Sequence, residues 1–77
     1  MKIYNQLWQD IDRAHWPKQG EIFVCLDPQQ RLGEATWQVA EFWQQDEYGT
    51  MGLDHCDIIG RGLFWKREDA IRFAEAI

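Results

Sequence analysis

The sequence predicts a small α+β domain, and three observations carry that prediction. Ile22 to Leu26 is a continuous apolar run bounded by Gly20 and Asp27-Pro28. Thr36 to Trp43 is rich in residues that favour strands. Apolar residues recur at helical spacing in both terminal segments. The expected order is α-β-β-β-α: a small three-stranded antiparallel sheet packed by N- and C-terminal helices. The alternative is α-β-α-β-α, with the middle segment helical.

The first element reads as an amphipathic helix from Ile3 to His15. Ile3, Leu7, Ile11 and Ala14 form its apolar stripe, widened by Tyr4, Trp8 and His15. Pro17 ends it, and Trp16 lies outside it because a residue before proline avoids the helical region. Pro17 to Gly20 is then a turn into the first strand.

Ile22 to Leu26 is that strand. Ile22, Val24 and Leu26 point to one side, Phe23 and Cys25 to the other. A strand apolar on both faces belongs in mid-sheet or under a second layer. Pro28 has no amide hydrogen to donate, so the strand ends near Asp27.

The segment from Asp27 to Trp43 has two readings. As a helix it has Asp27 as N-cap, Pro28 at the first position and Gln30 completing a capping box. As a loop and strand it is punctuated by Pro28 and Gly33, with Thr36 to Trp43 extended. Gly33 inside a helix costs about 1 kcal/mol relative to Ala. Trp37 would also face the polar side of that helix. The strand is preferred, although it sets Glu41 on the face of Trp37 and Val39, which requires a bulge or a site near solvent.

Asp57 to Trp65 contains the third strand, weakened by Gly60 and Gly62 and best formed from Gly62 to Lys66. Arg67 to Ile77 is the last helix, with Ala70, Ile71, Ala74 and Ile77 on its buried face. Glu68 and Asp69 suit the positive end of its dipole.

A chain of 77 residues is one domain, spanning 1–77, and too small for a deep catalytic cleft. Five Trp, four Phe and two Tyr offset the small size, since large rings bury much area per residue. Trp8, Trp37 and Trp65 are expected in the core, Trp16 and Trp43 at the surface. The net charge of −5 and the lack of a basic stripe argue against direct binding of duplex nucleic acid. The N-terminus is too polar for a signal peptide and no segment is long enough to span a bilayer. The chain is therefore read as cytoplasmic and complete from Met1, with no membrane partner.

Little catalytic chemistry survives inspection. Asp54, His55, Cys56 and Asp57 are potential zinc ligands, but neighbours on an extended chain point to opposite sides. Cys56 with His15 is a candidate thiol pair without an orienting third group. Gly60-Arg61-Gly62 lacks the helix start that a phosphate loop needs. Cys25 is read as a small buried apolar residue. No catalytic residue, metal or cofactor is assigned.

The expected function is that of a non-enzymatic protein-binding module, a small acidic inhibitor or accessory factor. Its partner-binding residues are Trp43, Asp46, Glu47, Tyr48, Asp54 and Asp57, and its partner is a larger protein with a basic surface. Phage- or plasmid-borne inhibitors of nucleic-acid-binding defence complexes (anti-CRISPR-like) and toxin-neutralising proteins have this size and charge. The alternatives are a small metal- or thiol-dependent enzyme using His55 and Cys56, or a structural subunit that dimerises through a sheet edge. The protein is expected as a monomer or homodimer.

Overall fold

The computed structural model describes residues 1–27, 36–43, 56–59 and 64–77. Among the described residues four strands form one mixed sheet in the order β1-β2-β3-β4: β1 Lys2–Leu7, β2 Ile22–Leu26, β3 Trp37–Phe42 and β4 Cys56–Ile58. A helix, α1 Arg67–Glu75, packs on one face. The α+β class is as expected; the three-stranded antiparallel sheet and the two flanking helices are not what forms.

The largest departure is at the N-terminus. Residues 3–15 do not make a helix. Lys2–Leu7 is a strand parallel to β2, and two short 3-10 turns follow, Trp8–Asp10 and Arg13–His15. The helical spacing of Ile3, Leu7 and Ile11 was a weak guide because Asn5, Asp10 and Asp12 are poor helix interiors. Asp12 instead caps the second turn, accepting from the Ala14 amide at 3.3 Å. A doubly apolar β2 also has two edges to satisfy. β3 takes one and β1 takes the other.

Parallel neighbours need a crossover of a dozen or more residues, usually a helix. Here residues 8–21 make the crossover with 3-10 turns. They lay Trp8, Ile11 and Trp16 over one sheet face, against Tyr4, Phe23, Cys25, Ala40, Phe42 and Cys56. Trp16 is buried rather than exposed. It is extended, as a pre-proline residue should be, yet its ring meets Phe42 edge-on at 5.6 Å. Its indole N–H donates to the Ile11 carbonyl at 3.0 Å, and Arg13 lies 4.2 Å over the ring.

The turn before β2 forms where expected. Glu21 N donates to Lys18 O at 2.9 Å, and the Glu21 carboxylate accepts from Lys18 N at 2.8 Å. Gly20 sits at φ +79°, a conformation other residues adopt at a cost.

β2 and β3 are antiparallel in unbroken register from Ile22↔Glu41 to Leu26↔Trp37. The strand reading of residues 36–43 therefore stands; residues 28–35 lie outside the described set. Asp27 N donates to Thr36 O at 2.9 Å, closing the ladder one step beyond Leu26.

The other sheet face carries Val24 and Val39 beneath Ala70 and Ala74, with Ile22, Trp37, Ile59, Phe64, Ile71 and Phe73 around them. Alanines at i and i+4 let α1 approach the sheet closely. Of the strand expected to be best formed from Gly62 to Lys66, residues 62 and 63 lie outside the described residues, and Trp65 and Lys66 are not in a strand. Among the described residues the strand in this region is Cys56–Ile58, at the start of the expected Asp57 to Trp65 stretch, and Phe64 makes a single bridge to Trp37. Because Phe64 turns inward against Phe73 at 5.3 Å, the next residue, Trp65, turns out and is 69 % exposed. Ile77 lies past the helix end and is exposed, not buried with Ala74.

Candidate functional site

Of the expected partner-binding residues, Trp43 and Asp57 are described; Asp46, Glu47, Tyr48 and Asp54 lie outside the described residues. Trp43 follows β3 directly and is exposed. Asp57 is the central, exposed residue of β4. The register sets Asp57 directly opposite Glu41, itself two residues from Trp43. Residues directly opposite in an antiparallel pair share a face, so two carboxylates stand side by side there. No described cation forms an ion pair with either.

Glu41 was the missed member of this surface. In the sequence it shows only as a carboxylate on an apolar strand face. No bulge removes it, since the β2–β3 register is unbroken. It sits near the strand end, half-buried, next to exposed Asp57.

The thiols are placed differently. Cys25 faces Gln38 across β2–β3, and Cys56 faces Phe42 across β3–β4. Strand β3 separates them and both are free thiols. Burial pushes Cys25 up to about 12, with the charges of Cys56 and Asp27 adding to it. Burial likewise pushes Cys56 up to about 12, reinforced by Asp57. Both thiols are therefore protonated at neutral pH, the opposite of what a nucleophile or metal ligand requires. Among the described residues no three His, Cys, Asp or Glu side chains come together to hold a metal ion.

An open groove of about 700 Å³ is lined by residues 2–6 of β1 together with Asp12 and His15. The Tyr4 hydroxyl donates to the His15 carbonyl, and Lys2 Nζ donates to the carbonyls of His15 and Trp16 at 3.3 and 3.2 Å. These bonds tie the crossover to β1. Burial chiefly, then the charges of Glu21 and Cys25, push the Tyr4 phenol further up. The groove's polar groups are thus largely occupied in holding the fold.

Among the described residues no helix is long and apolar enough to cross a membrane. Comparison with protein-family models, with curated proteins and with solved structures finds no match to this chain.

Proposed function

We propose that the protein is a non-enzymatic binding module that docks an acidic, aromatic surface on a basic site of a larger protein. The observation that carries this is the direct opposition of Glu41 and Asp57 beside exposed Trp43. Like charges directly opposite in a sheet destabilise it. A lysine or arginine from a partner would relieve that repulsion, and the indole supplies apolar contact of the kind that anchors interfaces. Asp46, Glu47, Tyr48 and Asp54, which lie between Trp43 and Asp57 in the sequence, are the other partner-binding residues of this reading. An inhibitor or accessory factor of this kind would place carboxylates where its target otherwise holds phosphates. The comparison with phage- or plasmid-borne inhibitors of defence complexes, or with toxin-neutralising proteins, rests on size and charge alone.

The test is kinetic. A partner recovered from host extract at low salt is immobilised, and association of the wild type is compared with Asp57→Lys and with Asp46→Lys/Glu47→Lys. Reversal should slow association about tenfold or more at low salt, with the difference shrinking as salt is added. Unchanged association rates in both variants would sink the reading. The enzymatic alternative has its own measurement. Zinc near one equivalent in the purified protein, lost in Cys56→Ser, would favour it instead.

A further inference from the structure

We propose that the protein binds a structural water molecule on the aromatic face of the sheet, held by Gln38 and Thr36 with Asp27 as its third partner. The β2–β3 register gathers four polar side chains at one end of that face. Cys25 stands opposite Gln38. One rung on, Asp27 stands opposite Thr36, since the Asp27 amide donates to the Thr36 carbonyl at 2.9 Å. Strand alternation sets all four on the side of Phe23, Ala40 and Phe42. The burial there is deep: Cys25 is fully buried, Gln38 is 2 % exposed and Asp27 is 7 % exposed. Gln38 Nε2 and Thr36 Oγ1 are both shut off from solvent, and neither has a hydrogen-bond partner among the described residues.

The chemistry of these groups selects water. A buried amide or hydroxyl without a partner forfeits its hydration and gains nothing in return, and native proteins keep very few such groups. Gln38 Nε2 carries hydrogens and needs an acceptor, the Thr36 hydroxyl can give or take, and the Asp27 carboxylate has lone pairs for more than one donor. A water oxygen accepts from Gln38, and the two water hydrogens go to Thr36 Oγ1 and to Asp27. Three hydrogen bonds to buried polar groups are what an internal water usually makes. An apolar ligand would leave the Gln38 amide unpaired. A metal ion does not fit, because no three metal-binding side chains converge among the described residues and the Cys25 thiol keeps its proton. The site is on the opposite face of the sheet from Glu41 and Asp57, so it stands or falls independently of the docking surface.

Two measurements in water test this. In the wild type, the side-chain amide hydrogens of Gln38 should show a dipolar contact to water in a rotating-frame Overhauser experiment, which separates contact from chemical exchange by sign. Oxygen-17 relaxation dispersion then counts long-lived internal waters, and hydroxyl hydrogens cannot contribute to it. Gln38→Met keeps the length of the side chain and removes its amide. Thr36→Val keeps the shape and removes the hydroxyl. Each variant should lose the amplitude of one internal water while the circular dichroism stays native. If a variant does not fold, the wild-type contact at Gln38 decides alone. Absence of that contact overturns the proposal. So does an oxygen-17 amplitude that is the same in the wild type and in both folded variants.

Discussion

The two faces of the sheet are covered in opposite ways. On one, α1 lays Ala70 and Ala74 onto Val24 and Val39: a regular element, small side chains and close approach. On the other, an irregular crossover lays Trp8, Ile11 and Trp16 onto Phe23 and Phe42: short turns, large rings and local hydrogen bonds. The helical face is specified by a pattern along the chain. The aromatic face is specified by bulk and by which ring meets which. A domain this small uses both, because a helix alone would leave the Phe23–Phe42 side wet.

The sharpest way to break the aromatic face is Phe42→Ala. Phe42 is almost fully buried between Trp16 and Phe23, at 5.6 and 6.4 Å between ring centres. Truncation should cost about 3–5 kcal/mol, read as a lower urea midpoint. Val39→Ala on the helical face should cost less, about 1–3 kcal/mol, because fewer atoms are lost.

Alkali should attack the aromatic face from inside. Cys25 and Cys56 both lie in it with pKa values near 12, above the thiol's ordinary 9. A raised folded value means that the folded state holds its proton more tightly. The stability this contributes is complete below about pH 9 and is lost as pH rises through about 12. Chemical denaturation from neutral to strongly alkaline pH should show the decline, and Cys25→Ala/Cys56→Ala should flatten it. At pH 8 neither native thiol should react with a disulfide reagent, whereas both should react in denaturant.

Trp16→Phe keeps most of the ring and removes the N–H that serves Ile11. It should cost about 1–2 kcal/mol, while Trp65→Ser, at the exposed position, should stay within about 0.5 kcal/mol of wild type. Equal effects from the two would show that burial has been assigned to the wrong indole. The smallest change has the opposite sign. Glu41→Gln removes the repulsion with Asp57 and should stabilise by about 0.2–1 kcal/mol, while weakening any basic partner.

By itself the chain specified β2, its end at Asp27, the turn at Gly20, the burial of Cys25, the outward position of Trp43 and the helix starting at Arg67. Each rests on a local signal: an apolar run, a proline, a glycine, a helical period. What only the tertiary structure decided was the fate of Ile3 to His15, the exchange of Trp16 and Trp65 between surface and core, and the opposition of Glu41 to Asp57. Those depend on partners far away in sequence. Apolar spacing can serve a helix or a strand, and the free edge of β2, reached through a fourteen-residue crossover, settled which. Register, likewise, is a property of two strands at once, and no single stretch of residues contains it.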